Sequence, residues 1–289
     1  MAQVLFSFGH GYSAQALSRL LLPQGWKIFG TTRTEEKAER LKAQGITPLI
    51  WPGDDILEPL SQATHLLLSA GPEGEGGDPV LQRARAEIEA QAARLTWAGY
   101  LSTTGVYGDH AGAWVDETTP LKPATSRGQL RVDAEAAWQE IKGLPLHIFR
   151  LAGIYGPGRG PFAKVRNGTA RRIIKPGQVF SRIHVEDIAQ VLAASIAQPN
   201  PGAIYNVCDN APAPPEDVIG YAAELLGMPL PPAVNFEDAD MSPMARSFYA
   251  ESKRTRNNLL KDELGVELLY PDYRLGLQAL LAEEGETAV

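Results

Sequence analysis

Short apolar runs alternate with amphipathic runs along the first 150 residues. Val4–Phe8 (VLFSF) has strand length, and Ala14, Leu17 and Leu21 then recur at helical spacing until Pro23. Lys27–Thr32 reads as a second strand and Glu35–Gln44 as a polar-faced helix ending at Gly45. Thr47–Trp51 reads as a third strand, closed by Pro52, Gly53 and Asp54. His65–Ser69 is a fourth, followed by Ala70, Gly71 and Pro72. The Gly- and acid-rich stretch Glu73–Pro79 reads as a mobile loop. Val80–Leu95 predicts a long amphipathic helix, Trp97–Thr103 a fifth strand, Arg131–Ile141 a helix and Leu146–Leu151 a sixth strand. Strands alternating with helices predict an α/β fold: a doubly wound parallel sheet covered on both faces. Ligands of such sheets bind beyond the carboxyl ends of the strands. The candidate segments are therefore 9–14, 31–33, 53–55, 69–72, 102–109 and 151–159.

The first of these segments carries the strongest chemistry. Gly9, Gly11 and Ala14 stand at GxGxxA spacing between the first strand and the first helix. This is the context of a Rossmann-type dinucleotide fingerprint. Gly9 allows a tight turn, Gly11 lets a pyrophosphate approach the backbone, and Ala14 lets helix and strand pack closely. The helix start directs free N–H groups and a positive dipole at the phosphates. Gly9, His10, Gly11, Tyr12 and Ser13 are thus the expected pyrophosphate cradle. Thr32 and Arg33, Asp54, and Ser69, Ala70 and Gly71 are expected along the rest of the cofactor, at the ends of the second, third and fourth strands. An NAD site usually places a carboxylate after the second strand, to bind the ribose 2′-hydroxyl. Here Thr31, Thr32 and Arg33 stand there, and no carboxylate occurs before Glu35. Arg33 could pair with a 2′-phosphate, so NADP is expected ahead of NAD.

Composition narrows the classes. Net charge is −7, which argues against a nucleic-acid or membrane-surface binder. No apolar run reaches ~18 residues, and the N-terminus has no signal-peptide pattern, so a cytoplasmic protein is expected. One cysteine, Cys208, leaves no intrachain disulfide and no cysteine-rich metal site. Asp109, His110, Asp116 and Glu117 show no recognisable metal-ligand pattern, and neither a GxSxG elbow nor a P-loop is present. The span Ile141–Val185 contains no Asp or Glu but nine Lys and Arg, among them Arg150, Arg159 and Arg182. A basic island in an acidic chain can focus an anion, so a small anionic substrate is expected on Arg150, Arg159 and Arg182, with Tyr107 beside it. A solvated charged face accounts for the same composition.

Four further segments carry a resemblance. Leu101–Asp109 (LSTTGVYGD), Arg150–Gly158 (RLAGIYGPG), Phe180–Ala189 (FSRIHVEDIA) and Tyr205–Asp209 (YNVCD) resemble, in order, motifs of the extended short-chain dehydrogenases/reductases, the epimerase/dehydratase superfamily. Ser252–Arg254 and Leu264–Gly265 before Tyr270–Pro271 are similar to its shorter atypical members. The resemblance implies a nucleotide-binding core over 1–155, continued by 178–210, and a small substrate-covering lobe from 156–177 and 211–289. It also implies a homodimer through the 80–95 and 131–141 helices, and an oxidoreductase or epimerase acting on a hydroxyl- or carbonyl-bearing substrate such as a nucleotide sugar. Thr103 falls at the position that hydrogen-bonds the substrate oxygen. The Tyr and Lys of the family's YxxxK fall at Arg127 and Arg131. Arginine stays protonated near neutral pH and cannot replace a phenolic proton shuttle, though Arg131 can still hold a ribose or a substrate. The family's usual first turn glycine falls at Phe8 and its last at Ala14. The alternative is a non-catalytic NADP-binding regulator that has lost the catalytic pair.

Past Asp209 the pattern predicts helices at Glu216–Leu226, Ser247–Leu264 and Leu275–Ala282, with a fraying polar tail from Glu283.

Overall fold

The computed structural model describes residues 3–74 and 77–287. Seven strands form one sheet: β1 (Val4–Phe8), β2 (Lys27–Thr32), β3 (Thr47–Ile50), β4 (His65–Leu68), β5 (Trp97–Thr103), β6 (Leu146–Leu151) and β7 (Ile204–Val207). Their order is β7–β6–β5–β4–β1–β2–β3, and every neighbouring pair is parallel. The doubly wound sheet read from the alternation is therefore present. Six of its strands lie where the apolar runs put them. β7 is only four residues long and carries no alternation that separates it from its surroundings.

The faces are covered by α1 (Tyr12–Leu21), α2 (Glu35–Ala43), α3 (Leu57–Gln62), α4 (Pro79–Gln91), α5 (Ser126–Gln139) and, after the short α6 (Phe162–Arg166), by α7 (Val185–Ala197). Alternate strand residues serve opposite faces. Leu5 and Leu67 join Leu17, Leu21, Ile188 and Leu192 from α1 and α7. Phe6, Phe8, Leu66 and Leu68 join Val80, Ile88 and Trp138 from α4 and α5. The strand order reverses between β1 and β4, which opens a crevice above their carboxyl ends.

Helix starts depart from the sequence reading. Asp78 caps α4 by accepting from the amides of Val80 and Leu81, so the 73–79 loop ends in an ordered cap, while its residues 75 and 76 lie outside the described residues. Thr125 caps α5 through the amide of Gly128, so the helix starts at Ser126, five residues before the expected Arg131. The first turn of α5 holds no apolar residue to extend the periodic pattern.

The C-terminal lobe holds α8 (Pro215–Leu225), α9 (Pro243–Phe248), α10 (Asn258–Leu264) and α11 (Tyr273–Thr287). Phe162 and Val165 of α6 pack with Ala222, Tyr273 and Leu277. The expected Ser247–Leu264 helix is broken. Between α9 and α10, Arg254–Thr255 pairs with Trp114–Val115, and the amides of His110, Gly112, Arg254 and Arg256 take part in this local ladder. Hydrogen bonds to a distant loop override local helical preference there. The tail expected to fray is helical to Thr287, and residues 288–289 lie outside the described residues. No helix among the described residues is long and apolar enough to cross a membrane.

Glu135 of α5 and Arg150 of β6 form a buried bidentate pair, with Nη2 to Oε2 at 2.7 Å and Nε to Oε1 at 3.2 Å. Ser102 of β5 also donates to Glu135. Arg150 Nη1 reaches the Tyr107 hydroxyl at 2.9 Å, which donates to Asn206 of β7 at 2.7 Å. Removing one partner strands a buried charge. Glu135→Ala should therefore cost about 3–5 kcal/mol in urea unfolding, against about 1 kcal/mol or less for Glu36→Ala, which breaks the exposed Glu36–Arg40 pair of α2. A Glu135 cost no larger than the Glu36 cost would contradict the role given to the pair.

Candidate functional site

A cleft of about 1060 Å³ opens over the carboxyl ends of β1, β4, β5 and β6, bounded on its far side by Phe180–Arg182 and by α9. Its floor starts at the glycine turn. Gly9 has φ +70°, and a Cβ there would sit 2.7 Å from the Ala70 amide nitrogen, so only glycine fits. The Gly9 amide donates to Thr31 Oγ1 at 2.7 Å, and the His10 amide donates to the Thr31 carbonyl at 2.9 Å. Gly11 is the N-cap of α1 and brings no capping side chain. The amides of Tyr12, Ser13 and Ala14 are left without acceptors among the described residues. Such a helix start is an anion cradle, and its donor set fits a dinucleotide pyrophosphate.

The expected cofactor residues divide. Gly9, Gly11, Tyr12, Ser13, Ser69 and Arg131 line the cleft. The His10 imidazole does not: it is buried over Gly30, where a Cβ would come within 2.8 Å of it, and Nε2 lies 3.2 Å from Ser18 Oγ. Burial lowers its pKa to about 4, so it is neutral near pH 7, and only its backbone serves the turn. Thr32 is buried, with its carbonyl accepting from the Trp51 amide. Asp54 closes the turn after β3 by accepting from the Ile50 amide at 2.6 Å. Ala70 backs Gly9, and Gly71 lies against Arg131, whose Nη2 would be 2.5 Å from a Cβ there. Arg33 is exposed at the end of β2, 3.4 Å from the equally exposed Glu73.

Thr103, Arg127 and Arg131 all line the cleft. Thr103 Oγ1 accepts from the Gly105 amide at 3.1 Å, which leaves its O–H to donate. Arg127 reaches across to α9, donating to Ser247 Oγ at 2.9 Å with its guanidinium 4.7 Å from the Phe248 ring centre. Arg131 Nη1 donates to the Leu101 carbonyl at 2.7 Å and the Tyr100 hydroxyl at 3.1 Å.

The basic island disperses. Arg159 and Arg182 line the cleft, but Arg166 pairs with Glu284, and Arg171, Arg172 and Lys175 bind backbone carbonyls. Arg150 and Tyr107, expected at the substrate, do not line the cleft. Both are buried and committed to Glu135 and Asn206, beneath the cleft rather than in it. Residues contiguous in sequence pass through strand, turn and helix, so they point in different directions.

Tyr12, Tyr155 and Tyr249 line the cleft, and burial raises the pKa of each, that of Tyr249 to about 12. None is tuned towards a phenolate. Sequence reasoning left out Glu251 and Lys253, which also line the cleft. Lys253 Nζ lies 2.7 Å from Glu251 and 2.9 Å from the Gly108 carbonyl. The Ser252–Arg254 resemblance touched this stretch, but no spacing links it to Thr103. Thr31, which lies in the candidate segment 31–33, ties the turn to β2.

A doubly wound sheet, a glycine turn at its switch point and a C-terminal lobe across the cleft frame the candidate site. Structural likeness and weaker sequence homology link the chain to NAD(P)-dependent epimerases and dehydratases. No family model matches the chain. Protein YeeZ of Escherichia coli K12 is 31% identical over 277 residues, spanning 91% of this chain and 95% of YeeZ. The chain belongs to the family of Protein YeeZ. A functionally unknown conserved protein from Silicibacter pomeroyi DSS is 63% identical with TM-score 0.94, covering 98% of this chain and 99% of that one. A structure from Methylobacillus flagellatus, provisionally named an NAD-dependent epimerase/dehydratase, is 27% identical with TM-score 0.70, covering 98% and 99%. At the level of fold, UDP-glucuronic acid 4-epimerase from Bacillus cereus, solved with NAD, gives TM-score 0.78 at 15% identity, covering 98% and 99%.

Asp209 is buried behind Arg182. Its pKa is raised to about 7, chiefly by burial and against the pull of Arg182, and Oδ2 has no hydrogen-bond partner among the described residues. The unfolded value is about 3.9, so the native state holds this proton more tightly. Its contribution to stability is present in full below about pH 4 and is lost as pH rises through about 7. Asp209→Asn should flatten stability against pH over that window, measured by thermal unfolding from pH 4 to 8. An unchanged slope would show that Asp209 ionises at its ordinary value.

Proposed function

We propose that the chain binds a nicotinamide dinucleotide, NADP ahead of NAD, and acts as an oxidoreductase or epimerase on a small anionic substrate with a hydroxyl or carbonyl group. The observation that carries the reading is one cleft with two anion-seeking borders. One is the uncapped start of α1, and the other is the pair Arg159 and Arg182. The NAD bound by the Bacillus cereus epimerase and the fold shared with it support a dinucleotide at the first border. The backbone amides at 12–14 would hold the pyrophosphate, and Ser69 and Gly71 would line its path. When bound, the nicotinamide supplies hydride exchange. The Thr103 hydroxyl donates to the reacting oxygen, which lowers the charge built up there. Among the described residues Arg131 hydrogen-bonds through Nη1 alone, so its remaining donors serve the ribose or the substrate. Arg33 receives the 2′-phosphate, with Glu73 as its competitor. The substrate class is a nucleotide sugar, a phosphate ester or a carboxylate.

A second reading, a non-catalytic NADP-binding regulator, draws on the tethering of Arg127 to α9 and on the raised pKa values of the cleft tyrosines. Turnover on a panel of carbonyl compounds and nucleotide sugars separates the two.

Fluorescence titration with NADPH and NADH tests the cofactor assignment. NADPH should bind about tenfold more tightly than NADH, Arg33→Ala should abolish the difference, and Glu73→Gln should widen it. Equal binding of both cofactors by the unaltered chain sinks the 2′-phosphate role of Arg33, and binding of neither sinks the dinucleotide site. On the substrate side, Arg159→Ala and Arg182→Ala should each weaken binding of UDP-glucose or inorganic phosphate on the order of tenfold in isothermal titration, with NADPH affinity held. Unchanged affinity in both variants removes the anionic-substrate reading.

A further inference from the structure

Beside the main cleft lies a second cavity of about 200 Å³. Tyr155, Arg159 and Arg182 line both spaces, so these three side chains form a shared wall. Past them the lining changes character. Val218 and Leu277 present aliphatic carbon, and Tyr155 and Tyr273 present aromatic rings. The Tyr155 hydroxyl lies against the backbone of α11 at Gly276 and has no hydrogen-bond partner among the described residues. The guanidinium groups are the charged feature of a space lined mainly by hydrocarbon.

Arg182 is held in place at this wall. Its Nη1 donates to the carbonyls of Phe180 at 2.9 Å and Ala213 at 3.0 Å. Nε and Nη2 have no acceptor among the described residues. A fixed, partly desolvated guanidinium with donors to spare favours an anion. The cavity next to it favours the opposite chemistry. Apolar cavities of ~150 Å³ take up a benzene ring, whereas a sugar or an amide buried there would leave its polar groups without partners.

We infer that this cavity is a subsite for a hydrocarbon arm, and that the substrate is an amphipathic anion: a phosphate or carboxylate held by Arg182 and Arg159, carrying an unsubstituted ring or short alkyl chain that enters between them. This deepens the proposed function and rests on its anionic-substrate reading. It selects against ligands whose second half is hydroxylated, because the arm is recognised by exclusion of water and not by hydrogen bonds.

Isothermal titration of the full chain with inorganic phosphate and phenyl phosphate tests the subsite. Phenyl phosphate should bind on the order of tenfold more tightly than phosphate. Val218→Phe, which fills the cavity, should bring phenyl phosphate down to the affinity of phosphate and leave phosphate itself unchanged. Val218→Ala, which enlarges the cavity, should strengthen 1-naphthyl phosphate relative to phenyl phosphate, and this arm decides the matter if the larger side chain perturbs folding. Phosphate binding that is lost in Arg182→Ala, with no gain from the phenyl group, overturns the subsite alone. A phenyl gain that survives Val218→Phe, with no naphthyl gain in Val218→Ala, also overturns it. Absence of binding by both ligands, or binding indifferent to Arg182→Ala, overturns the anionic reading and the subsite together.

Discussion

The buried pair between Glu135 and Arg150 holds the frame on which the candidate site stands. It joins α5 to β6, and through Ser102, Tyr107 and Asn206 it reaches β5, the turn that follows and β7. Such pairs add little net stability over a well-packed apolar replacement, yet leaving either charge alone is costly. A bidentate pair also tolerates little sliding. α5 is thereby fixed in one register against the strand that ends in Thr103, and Arg127 and Arg131 reach the cleft from that helix.

The opposite border of the cleft is set by backbone rather than side-chain chemistry. Gly9 passes so close to Ala70 that β1 and β4 meet without an intervening side chain, and Thr31 fastens the turn to β2 with two hydrogen bonds. α1 consequently starts at the switch point with its amides uncapped. The two borders offer different things: dipole and amides on one side, guanidinium groups on the other. Arg127 and Arg131 supply neither a proton shuttle nor a fully free cation. Arg127 is engaged with α9, and Arg131 is partly engaged with β5.

Legibility of the site followed the range of the interactions. The glycine turn was legible because its constraint is local: a positive φ and a missing Cβ are properties of a few consecutive residues. Arg159 and Arg182 were found through composition, but the same signal also pointed to Arg150, whose fate depends on a carboxylate from another element. His10 was read with its neighbours, yet its side chain fills the space that Gly30 leaves vacant on β2. Lys253 and Glu251 were missed because nothing in their spacing relates them to β5.

The local pattern of the chain by itself determined the parallel sheet, six of its seven strands and the location of the glycine turn, since each of these is written in periods of two and 3.6 residues or in a short glycine signature. Only the tertiary structure decided which charges reach the cleft, that the segment from Ser247 breaks into a helix, a strand and a second helix, and that a hydrocarbon-lined cavity lies behind Arg182. Those outcomes depend on groups brought together from distant parts of the chain, where packing and buried pairing outweigh local preference.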